Sequence, residues 1–162
     1  MVNWISLIML LLLMSCGLEK STECIKDNFG KKIFFPKDIY RHSKSDLSGR
    51  VKIISCVNGD CPDCLDEMKL LAEKFHDNII FIIHVSEIVG LEYYLDMNGL
   101  EITYYLDCNN SFVLKNDLLG NRNIQTFLLD ENNEIILVGN PLFNEELTKL
   151  YQREIAMRTG VF

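Results

Sequence analysis

The sequence predicts an α/β domain built on a central mixed β-sheet flanked by helices. Three observations carry that expectation. Apolar, β-rich runs alternate with segments of helical spacing between residues 51 and 107. Two later runs, 124–130 and 134–139, are separated by Glu131-Asn132-Asn133, the composition of a hairpin turn. An amphipathic stretch, NEELTKLYQREIAMR, then closes the chain. Strand–helix alternation followed by a hairpin and a helix requires both parallel and antiparallel pairing, with both sheet faces covered.

Taken in order, the chain begins with MVNWISLIMLLLLMS, which holds no charged side chain and an almost unbroken apolar run from Ile5 to Met14. The run is about half of the roughly 20 residues that a spanning helix needs, and it suits the apolar region of a signal peptide. It ends in Leu13-Met14-Ser15-Cys16, which resembles a bacterial lipobox; that resemblance implies lipid on Cys16 and a mature chain starting there. The first residues lack Lys or Arg, and Met14 is bulky for its place. An ordinary secretory signal or a short anchor helix is the alternative. Either way the remainder leaves the cytoplasm. The expected organisation is a signal peptide over 1–15, a polar tether over 16–28 and one domain over 29–162.

Within the domain, GKKIFFPKDIY suggests a short strand stopped by Pro36, and VKIISCV (51–57) a buried strand. Asn58-Gly59-Asp60 reads as a turn. From Pro62, which suits the first helical position, Leu65, Met68, Leu71, Ala72 and Phe75 fall at helical spacing. NIIFIIHV (78–85) is a second buried strand. SEIVGLEYYLDMNG is a helix with Ser86 as its N-cap and Gly99 as its stop. EITYYLD (101–107) is a third strand, followed by a loop with a short helix.

At 162 residues the chain suits one domain with a proper core. Its 48% hydrophobic and 24% charged composition is ordinary for a folded protein. A net charge of −7 argues against nucleic acid as a partner, because nothing neutralises phosphates in bulk.

Six cysteines are present: Cys16, Cys24, Cys56, Cys61, Cys64 and Cys108. Setting Cys16 aside as a lipid carrier leaves an odd number, so structural pairing within one chain cannot use them all. In an exported protein a close C-x-x-C pair is a redox candidate. Cys61 falls at a helix N-terminus, where free N–H groups and the positive dipole end stabilise a thiolate. Cys64 lies one turn on, placed to resolve a mixed disulfide. A structural staple, or a metal site drawn from Cys56, Cys61, Cys64 and Cys108, is the competing reading; neither a second C-x-x-C nor a nearby His supports the metal. Cys56 reads as a small core residue, and no role is assigned to Cys24 or Cys108. His42, His76 and His84 show no catalytic spacing.

VKIISCVNGDCPDC, then Glu67 three residues beyond Cys64, then YYLDCNNSF and QTFLLDENNEIILVG, resemble the TlpA-like thiol–disulfide oxidoreductases of the thioredoxin fold. The resemblance covers most of residues 30–155, and lipid-tethered members from Bacteroidota are similar at the lipobox. It implies a thioredoxin-like fold, a redox-active Cys61–Cys64 disulfide, and a substrate surface from Pro62, Asp63, Ile124 and Gln125. Glu67 reads either as a solvated helix residue or as the proton acceptor for Cys64. No cofactor and no metal are expected. Three departures stand out. Asp60 replaces the usual aromatic before the first cysteine, Ser55 replaces a buried acid, and Ile124 replaces a cis-proline. A cis bond before Ile124 would cost roughly 2.5–4 kcal/mol, so a trans peptide is expected.

Asp60, Asp63, Asp66 and Glu67 crowd the pair, and negative neighbours disfavour a thiolate. The disulfide is then the more stable form, which favours a reductant over an oxidant. The expected function is a membrane-anchored thiol–disulfide oxidoreductase in the cell envelope, facing the periplasm or cell surface. Its partners would be protein thiols and disulfides and an electron donor the sequence does not name. The alternative is a redox-weak binding module of the same fold that has lost its substrate platform.

Overall fold

The computed structural model describes residues 28–36, 40–42, 47–118 and 125–160. Among these, six strands form one mixed sheet: β1 (Tyr40–His42), β2 (Lys52–Asn58), β3 (Ile79–His84), β4 (Thr103–Leu106), β5 (Thr126–Leu129) and β6 (Ile135–Val138). Their spatial order is β1-β4-β3-β2-β5-β6. The centre is parallel, β2 against β3 and β3 against β4, while β5, β6 and β1 add antiparallel pairs at either side. Helices α1 (Pro62–Phe75), α2 (Ile88–Met97), α3 (Ser111–Lys115) and α4 (Glu145–Thr159) complete the domain.

The central strands carry no polar alternation because both of their faces are covered. Odd-numbered Ile53, Ile79, Phe81 and Ile83 pack with α1, α2 and α4 side chains, including Met68, Leu71, Leu91 and Tyr151. Even-numbered Ile54, Ile80 and Ile82 pack on the opposite face with Phe112 of α3, Ile33 and Leu47. Helix α1 buries the five apolar positions that its spacing marks, Leu65, Met68, Leu71, Ala72 and Phe75. Met68 is fully buried, so Met68→Ala would cost about 2–5 kcal/mol.

The hairpin turns where expected. The Asp130 carboxylate accepts the N–H groups of Asn132 and Glu134, and Asn133 adopts a left-handed φ of 65°. Helix α4 starts at Asn144, whose side chain accepts the Leu147 N–H, and stops at Gly160 with φ 70°.

Two expectations need correction. The segment around GKKIFF is no strand: it makes a single bridge, Lys32 to Glu134, with irregular backbone bonds to the hairpin. The strand that does form is the short edge strand β1, beyond Pro36. Ser86 is no N-cap: α2 starts two residues later, after Glu87, and the Ser86 side chain bonds to Asp60 instead.

Candidate functional site

Strand β2 ends in a turn anchored to the end of β3. The Gly59 N–H donates to the His84 carbonyl at 2.7 Å. A Cβ on Gly59 would stand 2.9 Å from Ile83 Cγ2 and 3.1 Å from Val85 Cβ, so the close approach admits only glycine. The Asp60 carboxylate then accepts the Ser86 hydroxyl at 2.7 Å and the Ser86 N–H at 3.0 and 3.1 Å. These bonds, the hydroxyl first and the backbone N–H second, hold the Asp60 carboxyl below its ordinary range.

Next in the chain, Cys61 takes the N-cap position of α1 with extended backbone, φ −109° and ψ 113°. Its carbonyl accepts the N–H groups of Cys64 and Leu65, both at 3.1 Å. Its thiol makes no capping bond and is left for other chemistry. Pro62 and Asp63 are exposed, whereas Cys61 and Cys64 are half-buried. The Cys64 thiol is pushed up to about 11, by burial first, then by its hydrogen bond with Cys61 and the charges of Cys61, Glu67 and Asp63. Cys64 therefore keeps its proton at neutral pH until a base removes it.

One turn beyond Cys64, half-buried Glu67 accepts a hydrogen bond on Oε1 from Asn140 Nδ2, a residue of the turn after β6. Beneath α1, Ser55 is 2% exposed and its hydroxyl lies 3.1 Å from the Thr126 hydroxyl. A neutral hydroxyl pair thus fills the place where the resemblance leads one to expect an acid. The Gln125 carbonyl accepts the Cys56 N–H at 2.7 Å, which sets exposed Gln125 at the end of β5 beside the end of β2. Ile124 and Cys16 lie outside the described residues.

No family model matches the sequence, and no curated protein matches it. Solved structures do. A candidate protein disulfide isomerase of Bacteroides thetaiotaomicron superposes with a TM-score of 0.60 at 17% identity, over 81% of this chain and 90% of the other. A DsbF homologue from Corynebacterium diphtheriae gives 0.53 at 16% identity, over 76% and 92%. The thioredoxin domain of a thiol-disulfide oxidoreductase from Bacteroides vulgatus gives 0.50 at 12% identity, over 68% and 85%. The fold is thioredoxin-like.

In this thioredoxin-like fold Cys61 and Cys64 stand together at the carboxyl end of the central strands, with Pro62 and Asp63 on the open side and Glu67 behind. The acidic crowd divides. Asp63 and Glu67 act on Cys64, while Asp60 bonds to Ser86 and Asp66 accepts the Tyr94 hydroxyl at 2.9 Å. Cys56 packs on the other sheet face, and exposed Cys108 follows β4, so the four cysteines considered as a metal set do not share one face. Among the described residues no group of three His, Cys, Asp or Glu converges as metal ligands would. The partners of Ser86, Thr126 and Asn140 escaped the sequence reading, in which Ser86 stood as an N-cap. Each meets its partner only through the fold, and only the Asn140-Pro141 step hinted at a fixed turn. Chemically, the arrangement offers a reachable thiol at a helix start, a protonated second thiol within hydrogen-bond reach, and a carboxylate one turn away.

Proposed function

We propose that the protein is a TlpA-like thiol–disulfide oxidoreductase that reduces protein disulfides outside the cytoplasm, anchored to a membrane by lipid on Cys16. Residues 1–15 act as its signal peptide, 16–28 as its tether, and 29–162 as the working domain. The observation that carries this reading is the Cys61–Cys64 pair itself: one thiol at the N-cap of α1, the other hydrogen-bonded to it and held protonated.

Cys61 stands at the N-cap of α1 with its thiol unused by the cap, so its sulfur is the one left to meet a substrate. Its thiolate attacks one sulfur of a substrate disulfide, forming a mixed disulfide and releasing one substrate thiolate. Cys64 then gives its proton to Glu67 and attacks the Cys61 sulfur. That step closes the Cys61–Cys64 disulfide and releases the second substrate thiolate. Two electrons have passed to the substrate, and an external dithiol donor must return them. Pro62, Asp63, Ile124 and Gln125 form the surface on which the substrate lies. The carboxylates beside Cys64 withhold thiolate stabilisation, which supports the reducing direction.

Reduction of insulin disulfides by the reduced protein, with mass spectrometry of the mature N-terminus, tests both halves. Catalysed reduction and a lipidated Cys16 are expected. An unmodified Cys16 removes the anchor from the proposal. A pair that cannot be oxidised reversibly leaves the second reading, a thioredoxin-fold binding module, which Ile124 in place of proline favours.

A further inference from the structure

We infer that Asn140 is a positioning residue of the thiol pair, fixing the Glu67 carboxylate beside Cys64 by tying it to the turn between β6 and α4. The inference rests on the proposed exchange reaction, in which Glu67 receives the Cys64 proton.

Asn140 is held from both sides along the chain. The carbonyl of Gly139, before it, accepts the Tyr151 hydroxyl at 2.8 Å; the carbonyl of Pro141, after it, accepts the Thr148 hydroxyl. Both donors sit on α4 and both are buried. Its side chain is then oriented by its own oxygen, which accepts the Leu142 N–H at 2.9 Å. An amide fixed at its oxygen presents its NH2 group in one direction, and that direction is Glu67 Oε1. Glu67 is a flexible side chain on a half-buried helix face, and this bond selects one of its rotamers. Cys64 and Glu67 are three residues apart on α1, so the selected carboxylate shares a face with the resolving thiol. The charge of Glu67 contributes to the raised Cys64 thiol, which agrees with that proximity.

The two bonds made by the Asn140 side chain can be separated. Asn140→Asp keeps an acceptor for the Leu142 N–H, since aspartate caps as well as asparagine. It removes the donor to Glu67 and sets a second carboxylate against it. Asn140→Ser caps without reaching Glu67. Reduced full-length protein is mixed with 5,5′-dithiobis(2-nitrobenzoate), quenched in acid at intervals, and digested for mass spectrometry. The Cys61–thionitrobenzoate adduct reports attack, and its replacement by the Cys61–Cys64 disulfide reports resolution.

Asn140→Asp and Asn140→Ser should each slow resolution by about tenfold, the scale of a lost charge-assisted hydrogen bond, with adduct formation unchanged within about twofold. Glu67→Ala should slow resolution at least as much. Adding Asn140→Asp to Glu67→Ala should slow it no further, because the two residues then act as one unit. Wild-type resolution in both Asn140 variants would overturn the inference. So would a second tenfold loss in the double variant, which is what a purely structural cap would give. No adduct in the wild type would instead sink the exchange reading itself.

Discussion

Cys56 and Cys61 stand five residues apart at the same end of β2, and the structure gives them opposite chemistry. Cys56 is still inside the strand, and its even position turns it to the face covered by α3. Burial first, and the charge of Asp107 second, push its thiol from 9.0 to about 12. Cys61 lies past the Gly59-Asp60 turn, at the start of a helix, with its thiol unused by the cap. Strand parity and one tight turn, rather than closeness in sequence, separate an inert thiol from a reachable one. Asp107 sharpens the contrast. Its buried carboxylate accepts the Ser111 N–H and hydroxyl at 2.7 Å and the Phe112 N–H at 3.0 Å, capping α3 while it suppresses thiolate at Cys56.

The comparison breaks first, and most severely, at the pair. Cys61→Ser should abolish exchange outright, and Cys64→Ser should accumulate mixed disulfides through Cys61 on non-reducing gels. Should Cys64 prove the faster thiol in alkylation, the assigned roles are reversed. Gly59→Ala acts on the turn that divides the two regions. Its Cβ would press on Ile83 and Val85, at a cost of about 1–3 kcal/mol by urea denaturation, with slower exchange. Asp107→Ala should cost about 1–2 kcal/mol through the lost α3 cap and leave the exchange rate intact. Cys56→Ala should likewise exchange normally.

The smallest effect is in pH dependence. The raised folded value of Cys56 means that the native state keeps a proton the unfolded chain loses. Its contribution is complete below about pH 9 and fades as pH rises from 9.0 towards about 12. The stability gap between wild type and Cys56→Ala should therefore narrow in melts at pH 10 relative to pH 8. A gap that widens would contradict the burial of that thiol.

Much of this was legible because it is local. The runs 51–57 and 78–85 announced buried central strands, Pro62 with Leu65, Met68, Leu71 and Phe75 announced α1, and Asn132-Asn133 announced the hairpin. What stayed hidden depends on distant partners. Glu67 and Asn140 are 73 residues apart, and Ser55 and Thr126 are 71. Ser86 misled for the same reason. Beside a helical run a serine resembles a cap, but the carboxylate of Asp60, 26 residues earlier, takes both its donors. Edge strand β1 is three residues long, too short for any periodicity, whereas the apolar IFF run before Pro36 has the composition of a strand but forms no ladder, the single bridge lying just before it at Lys32.

The bonds from Gly59 to His84 and from Ser86 to Asp60 pin the cysteine turn to the last residue of β3 and to the loop that follows it. A turn fixed that way cannot swing when its sulfurs join or part. The Gly59 amide becomes an internal clock. In deuterated water it should exchange slowly, at nearly the same rate in the dithiol and disulfide forms, while signals that follow the redox state stay with the side chains of α1. The electron count of the pair would then be read out by local magnetic environment alone, without any change in backbone opening at its foot.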